Sequence, residues 1–180
     1  CPSVITVTQN QTYEKVDEIL ARPDHPDYVF FEVFYRFALN FQKKRLDEWK
    51  GIDFLFPSVY PKVKDGEIRL KTFDPLSKSN LMVKEMMVLA NWLAADFCRK
   101  NNLPALYMAQ DEPDAHIELE NRRITAKTDL LSIIRYMKKS YASTGPQRHF
   151  ALGLPCYTQT TSPIRRYQDL VVQRQITAFL

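Results

Sequence analysis

The chain has 180 residues, of which 45% are hydrophobic and 26% are charged, and its net charge is +4. This length indicates one domain with enough apolar residues for a core, and the mildly basic balance is compatible with a nucleic-acid partner without requiring one. No apolar run approaches the roughly 20 residues of a membrane-spanning helix and no signal peptide opens the chain, so we expect no membrane partner.

The N-terminus indicates a piece of a longer protein, because the sequence begins at Cys1 without a methionine. The three cysteines, Cys1, Cys98 and Cys156, show no metal-ligand spacing, which favours a reducing, cytoplasmic compartment. The following run Val4-Ile5-Thr6-Val7 is rich in β-branched residues and predicts a strand.

Two helices are predicted next. The first opens at Gln11-Thr12-Tyr13 and carries apolar residues at helical spacing, namely Tyr13, Val16, Ile19 and Leu20. After a break rich in proline and aspartate at residues 22–27, a longer helix is expected from about Tyr28 to Trp49. Its predicted inward face consists of Phe30, Val33, Phe34, Phe37 and Ala38. The charged run at its end is expected to be a solvated face whose cations suit a helix C-terminus; it comprises Lys43, Lys44, Arg45, Asp47 and Glu48.

The middle of the chain predicts short strands followed by a long helix. Residues 52–73 alternate short apolar runs with turn residues, and the Asp65-Gly66 pair indicates a hairpin. Ser79 or Asn80 is the predicted N-cap of a helix that ends near Lys100. Its predicted inward stripe is Leu81, Met82, Met86, Leu89, Ala90, Leu93 and Phe97. Glu85 lies among apolar neighbours, and its simplest interpretation is a carboxylate at the edge of the stripe that reaches water.

The next segment contains an acidic run that invites a metal assignment. Residues 103–108 predict a strand, which leads into Asp111, Glu112, Asp114, His116, Glu118 and Glu120. Because the spacing of these side chains follows no known ligand pattern, we interpret them as a solvated loop. A helix is expected from about Lys127 to Tyr141, then a loop and a strand from His149 to Leu154. His149 itself is interpreted as structural or as lining a binding surface, with a metal ligand as the alternative.

The last segment has the local signals of a helix start. Ser162 is the predicted N-cap and Pro163 suits the first helical position, while an apolar face follows with Ile164, Tyr167, Leu170 and Val171. Arg165 and Arg166 are unusual there, because the positive end of the helix dipole disfavours cations. Free backbone N–H groups and two guanidinium groups could receive a phosphate. The alternative is an ordinary capped helix whose arginines pair with Asp169.

A long motif covers this helix start. The run Tyr157-Thr158-x-x-Thr161-Ser162-Pro163-Ile164-Arg165-Arg166-Tyr167-x-Asp169-Leu170-Val171-Val172-x-Arg174 resembles the signature of the ribonuclease II / ribonuclease R family. Gln159, Thr160 and Gln173 depart from the residues that the family usually has at those positions. Thr12-Tyr13-Glu14-Lys15-Val16, residues 81–91 and His149–Leu154 are similar to further family stretches, while residues 106–113 match only in part.

The resemblance implies an α+β fold in which a mixed sheet of short strands is packed by about five helices. Residues 1–180 would form the later half to two-thirds of a single RNB catalytic domain, without an accessory OB-fold. The implied function is a 3′→5′ exoribonuclease that releases nucleoside 5′-monophosphates from the 3′ end of single-stranded RNA. Expected partners are the remainder of the RNB domain and OB-fold RNA-binding domains of the parent chain.

The resemblance also implies roles for particular residues. Arg165 is the expected catalytic residue, with Asp169 and Tyr167 as structural support. The expected RNA-binding residues are Arg166, Tyr13, Glu85, Tyr157, Thr158 and Ser162, with Tyr13 and Glu85 placed where the family reads the ribose. For Arg166, a neighbouring phosphate or Asp169 remain alternative partners.

The metal site of the family is missing from the sequence. Family enzymes hold Mg²⁺ with an Asp-x-x-x-x-x-Asp-x-Asp-Asp cluster, since hard cations need several oxygen ligands, and no Asp-x-Asp-Asp occurs here. We therefore expect Mg²⁺ in the parent enzyme with ligands outside this chain, and no activity from residues 1–180 alone. The alternative function is a catalytically inactive RNA-binding module or pseudo-nuclease.

Overall fold

The computed structural model describes residues 4, 6–55, 58–64, 66–74, 76–114, 123–124 and 133–180. Within these ranges the helices are α1 (Tyr13–Leu20), α2 (Tyr28–Asp47), α3 (Lys78–Lys100) and α4 (Tyr167–Phe179), with one further helical turn at residues 133–136. The strands are β1 (Asp53–Phe54), β2 (Ser58–Lys64), β3 (Glu67–Phe73), β4 (Tyr107–Ala109), β5 (Arg123–Ile124) and β6 (Tyr141–Ser143). The fold class is α+β, as predicted. No helix in these ranges is long and apolar enough to cross a membrane.

Among the described residues the strands pair in three two-stranded sheets, one parallel and two antiparallel, so the strand pairing is mixed as predicted. β2 and β3 form the predicted antiparallel hairpin, in register from Ser58 opposite Phe73 to Lys64 opposite Glu67. Gly66 has a φ of 79° at its turn, a conformation that glycine adopts without steric cost. β1 pairs with β5 in parallel, and β4 pairs with β6 antiparallel.

Helices α1, α2 and α3 pack against one another around Val16, Leu20, Ala38 and Met82. A second core cluster joins α3, β4 and α4 through Ala95, Cys98, Ala105, Tyr107, Cys156 and Val172. Together the two clusters make α3 the central element of the described structure, with contacts along most of its length. Burial of apolar surface at about 25 cal/mol per Å² is the main stabilising term for such a core.

The start of α3 differs from its prediction. Its N-cap is Ser77, whose hydroxyl accepts a hydrogen bond from the Asn80 backbone N–H at 3.2 Å, so Ser79 and Asn80 were the wrong candidates. The reason lies in α1, because Asp17 accepts from the Ser77 hydroxyl at 2.6 Å and from the Ser79 N–H at 2.9 Å. A carboxylate from a distant element thus satisfies one of the first free N–H groups of the helix and orients the capping hydroxyl.

The predicted inward faces of α2 and α3 are only partly right, because Ala38 in α2 and Met82 in α3 are the only predicted residues that are fully buried. In α2, Phe30, Val33, Phe34 and Phe37 are exposed and only Ala38 of the predicted face is buried; the buried residues are Ala38, Phe41, Gln42, Arg45 and Leu46. In α3, the buried face consists of Ser79, Met82, Glu85, Asn91, Ala95 and Cys98. Both faces carry polar side chains that bind one another or the loops, so apolar periodicity alone located them only in part.

The exposed aromatic residues of α2 border an open apolar groove. Phe30, Phe31 and Phe34 line one wall, and the methionines of α3 line the other, in a volume of about 470 Å³. Thr161, from the segment that carries the paired arginines, also contacts this groove.

Three further local predictions need correction. Val4, Thr6 and Val7 form no strand, and Ile5 lies outside the described residues. The helix expected to end at Tyr141 has ended by residue 136, and Tyr141 begins β6 instead; residues 127–132 lie outside the described ranges. Residues 149–154 form a tight turn, closed by a bridge between His149 and Leu154, rather than a strand. For residues 149–154, the backbone bridge between His149 and Leu154 prevailed over strand propensity.

Candidate functional site

The arginine segment, residues 157–169, begins against strand β4. The Met108 N–H donates to the Tyr157 carbonyl at 2.8 Å, and Tyr107 forms an antiparallel bridge with Thr158. The Thr158 side chain is fully buried and its hydroxyl donates to the Leu106 carbonyl at 2.5 Å. Thr158 therefore anchors the segment to the core, and its side chain is not presented to a ligand.

Asn91 on α3 holds the next part of the segment. Its amide nitrogen donates to the Tyr157 hydroxyl at 2.9 Å, and its amide oxygen accepts from the Thr160 N–H at 2.8 Å and from the Thr160 hydroxyl at 3.0 Å. Asn91 is only 3% exposed. It was identified in the sequence only as part of a family-like stretch and was not predicted as a site residue.

The end of the segment is a turn rather than a helix start. Helix α4 begins at Tyr167, and the N–H groups of Arg165 and Arg166 both donate to the Ser162 carbonyl. The Ser162 N–H donates to the Asp169 carboxylate at 2.8 Å. Ser162 is therefore bound by a residue of the helix instead of capping it, and the predicted N-cap and Pro163 position are wrong.

The two neighbouring arginines have different environments. Arg166 is bound by Asp169, with 2.8 Å between the guanidinium and the carboxylate and side-chain exposures of 26% and 0%. Of the two partners considered for Arg166, a neighbouring phosphate and Asp169, the structure shows Asp169. Arg165 is exposed, and within the described residues its guanidinium makes no hydrogen bond or ion pair. The pairing of both arginines with Asp169 therefore does not occur, and Arg165 is available to a ligand.

Of the two residues predicted as support, the structure uses Asp169. Its carboxylate accepts from the Ser162 backbone N–H, which precedes Arg165, and from the Arg166 side chain, which follows it. Tyr167 is largely exposed and gives the segment little packing support. The inward face of α4 is likewise not the predicted one, since Ile164 and Tyr167 are exposed while Asp169 and Val172 are buried.

A buried group of charged side chains joins α2, α3 and β1. Glu85 is 0% exposed and forms a two-pronged ion pair with Arg45 of α2, at 2.8 and 3.0 Å. Gln42 and Lys84 donate to Asp53 of β1 at 2.9 and 2.6 Å. Glu85 thus does not reach water, and the simple interpretation of a solvated carboxylate is wrong. Arg45 is likewise buried, although the charged run that contains it was predicted to be a solvated face.

Arg45 connects these charges to the 149–154 turn. Its guanidinium donates to the Leu152 carbonyl at 2.8 Å. Beside it, Gly153 has a φ of 69° and lies so close to Gly51 that an added Cβ would be 2.5 Å from the Gly51 nitrogen. A side chain at position 153 would therefore separate the turn from the end of α2, because both the backbone conformation and the space require glycine.

His149 and Tyr157 meet at the base of the arginine segment. Their rings pack edge to face with centroids 5.6 Å apart. Burial lowers the pKa of His149 to about 4 and raises the pKa of Tyr157 above its ordinary value. Both groups are therefore neutral at physiological pH, which favours a structural position over a role as proton carrier.

The remaining predicted RNA-binding residue is Tyr13. It is the first residue of α1 and is 37% exposed. Because α1 packs on α3, Tyr13 and Glu85 lie on adjoining helices, but Glu85 directs both carboxylate oxygens to Arg45.

The described residues do not form a metal site. Among them, no group of three or more His, Cys, Asp or Glu side chains could hold a metal ion. In the acidic loop, Asp111 accepts from the Tyr141 hydroxyl at 3.0 Å and Asp114 pairs with Lys138 at 2.6 Å; positions 116, 118 and 120 lie outside the described residues. The buried carboxylates of Asp53 and Glu85 have cationic partners, so this part of the chain does not fit Mg²⁺.

The sequence matches the RNB domain family over residues 1–180. An uncharacterized ribonuclease of Synechocystis sp. is 31% identical over 190 residues, a match that covers 99% of this chain and 27% of that protein. The protein named ribonuclease II, chloroplastic/mitochondrial, of Arabidopsis thaliana is 36% identical over 123 residues, which cover 68% of this chain and 15% of that protein. The chain thus spans about a quarter or less of the length of these relatives.

Solved structures share the fold. An active site mutant of the Dss1 exoribonuclease from Candida glabrata superposes with a TM-score of 0.78 at 25% identity, over 95% of this chain and 24% of that chain. Mycoplasma genitalium RNase R in complex with ribose-methylated single-stranded RNA gives 0.72 at 20% identity, over 93% of this chain and 32% of that chain. Yeast Ssd1, described as a pseudonuclease, gives 0.60 at 20% identity, over 92% of this chain and 24% of that chain.

Proposed function

Because the chain belongs to the RNB domain family, we propose that it forms part of a 3′→5′ exoribonuclease that releases nucleoside 5′-monophosphates from single-stranded RNA. The observation that carries this proposal is the contrast between the two arginines. Arg166 is held by Asp169, whereas Arg165 is exposed without a partner in the described residues, on a segment fixed at both ends.

Arg165 is the proposed catalytic residue. Hydrolysis of a phosphodiester builds negative charge on the non-bridging oxygens as the phosphorus becomes pentavalent, and a fixed guanidinium stabilises that charge. Its planar array of donors matches two phosphate oxygens at once, which an ammonium group does not. A side chain with no competing carboxylate partner keeps this capacity for the substrate.

The other predicted site residues have supporting roles in this proposal. Tyr13 contacts the ribose at the 3′ end and Ser162 shapes the approach to Arg165, while the buried Tyr157 and Thr158 anchor the segment that carries it. Arg166 contributes positive potential near the phosphates through the part of its guanidinium that Asp169 does not bind. Glu85 contributes to ribose recognition only if its ion pair with Arg45 opens, since both of its oxygens are engaged there.

The metal belongs to the proposal for the full-length protein. Mg²⁺ would supply an activated water and stabilise the leaving oxygen, and its ligands would come from residues outside this chain. The OB-fold domains expected in the parent, and its cytoplasmic location, are likewise proposals; one relative is named for chloroplasts and mitochondria.

The experiment uses the full-length protein that contains this chain and two forms of single-stranded RNA, one labelled at its 5′ end to follow shortening and one labelled uniformly to detect released mononucleotides. We expect progressive shortening from the 3′ end and mononucleotide products that disappear with EDTA, while purified residues 1–180 release none. RNA binding by the full-length protein without any shortening would instead identify a catalytically inactive RNA-binding module. Mononucleotide release by residues 1–180 alone would contradict the placement of the metal outside this chain.

A further inference from the structure

We propose that Asn91 is a positioning residue that acts on catalysis through Arg165, by fixing the arginine segment on helix α3. This inference rests on the proposed function of Arg165. Asn91 itself is 3% exposed, and its amide is engaged by Tyr157 and Thr160.

Asn91 uses its whole amide on the segment. The Thr160 N–H can only donate, so the amide oxygen of Asn91 faces it at 2.8 Å, and the amide nitrogen then faces the Tyr157 hydroxyl at 2.9 Å. The same oxygen accepts from the Thr160 hydroxyl at 3.0 Å. One buried side chain thus holds two residues that are three positions apart, which fixes both the place and the direction of the backbone that leads to Arg165.

Two further contacts continue the attachment toward Arg165. Gln173 of α4 donates to the Thr160 carbonyl at 2.6 Å, so Thr160 is held from both sides. Asp169 then binds Ser162 and Arg166, the residues that flank the turn containing Arg165. The segment therefore has an anchor on α3, at Thr160, and an anchor on α4, at Ser162 and Arg166. Arg165 follows the first anchor in the chain and lies between the two residues of the second.

The anchor on α3 matters because of the geometry that transition-state stabilisation requires. A displacement of about 1 Å at the reacting atoms can cost roughly 10²-fold in rate. Loss of the Asn91 amide leaves the Thr160 N–H and the Tyr157 hydroxyl without their partner, so the backbone before Arg165 is free to shift. The residue acts only through the position of Arg165, and its effect should vanish when the guanidinium is absent.

The test is a double-mutant cycle in the full-length nuclease. Asn91→Ala, Arg165→Ala and the double variant are compared with the wild type for kcat and for RNA affinity on single-stranded RNA. We expect Asn91→Ala to lower kcat by about tenfold or more with little change in affinity, and the double variant to match Arg165→Ala within about twofold. Asn80→Ala, a change at the start of the same helix, serves as the control and should leave kcat unchanged.

Multiplication of the two single effects in the double variant would overturn the proposal, since it would make Asn91 a general stability residue. Where Asn91→Ala fails to fold, Tyr157→Phe and Asn91→Asp enter the same cycle, because they remove one hydrogen-bonding group while keeping the side-chain volume. If Arg165→Ala leaves kcat unchanged in an active enzyme, the proposed role of Arg165 fails, and the inference about Asn91 is overturned with it.

Discussion

At the scale of single residues, buried polar side chains decide the geometry of this protein. Glu85 and Arg45 form an ion pair that is almost completely removed from water, with exposures of 0% and 2%. Taking two charges out of water is costly, and their attraction offsets that cost only when the geometry is good. The two-pronged contact at 2.8 and 3.0 Å meets this condition and joins α2 to α3.

Removal of one partner should therefore be severe. Glu85→Ala leaves the Arg45 guanidinium buried without its carboxylate, and we expect a loss of about 3–5 kcal/mol in the free energy of unfolding. The control is Glu67→Ala, whose pair with Arg69 is 3.3 Å long and exposed, so its loss should cost at most about 1 kcal/mol. Denaturant unfolding measures both, and equal losses would contradict a special role for the buried pair.

The burial of Glu85 also changes how ribose recognition should be tested. Replacing Glu85 destabilises the fold, so Tyr13 is the cleaner probe of the two. Tyr13→Phe removes only the phenolic hydroxyl, which could bond the 2′-oxygen of RNA. In the full-length enzyme we expect the preference for RNA over DNA at the 3′ end to fall by about tenfold, the equivalent of one hydrogen bond of about 1.5 kcal/mol. Matched RNA and DNA oligonucleotides measure this ratio, and an unchanged ratio would return Tyr13 to a packing role.

At the scale of elements, the 149–154 turn connects the buried charges to the arginine segment. Its carbonyl at Leu152 is bound by Arg45, and its first residue, His149, packs on Tyr157. The sequence predicted a strand here, because residues 149–154 are apolar and resemble a family strand. The positive φ of Gly153 and its close approach to Gly51 make a turn instead. Neither feature is visible in the pattern of neighbouring residues.

This turn should make stability depend on pH. The pKa of His149 is lowered from 6.5 to about 4 in the folded protein, so the unfolded chain binds the proton more readily. The stabilisation is complete above pH 6.5 and is lost as the pH falls toward 4, by up to about 1.4 kcal/mol per pH unit. His149→Phe keeps a ring against Tyr157 and cannot titrate, and unfolding curves across this range should show a shallower slope for the variant. Equal slopes would contradict the burial of a neutral imidazole.

At the scale of the whole molecule, the sequence predicted the elements better than their faces. The presence of helices α1 to α4, the hairpin and the α+β class followed from periodicity, turn residues and family resemblance. The faces of α2 and α3 did so only in part, because Gln42, Arg45, Glu85 and Asn91 are polar side chains that point inward. Their partners come from distant parts of the chain, and no window of neighbouring residues contains that information.

The candidate site was predictable to a similar degree. The motif located Arg165 and Arg166 and offered Asp169 as a partner, but only the structure assigned Asp169 to Arg166 and left Arg165 unpaired within the described residues. Asn91 remained unrecognised because an asparagine in a helix gives no local signal of the loop it binds. Ser162 had every local property of an N-cap, yet a carboxylate seven residues later binds its N–H.

The central claim is that Arg165 stabilises the transition state, and steady-state kinetics of the full-length enzyme test it most directly. Arg165→Ala should lower kcat by about 10²-fold or more while RNA affinity changes far less, because the contact strengthens as charge develops. Arg165→Lys should recover little of that loss, and Arg36→Ala, on the exposed side of α2, should behave as wild type. A variant in which only RNA affinity falls, with kcat unchanged, would make Arg165 a ground-state phosphate clamp and contradict the mechanism.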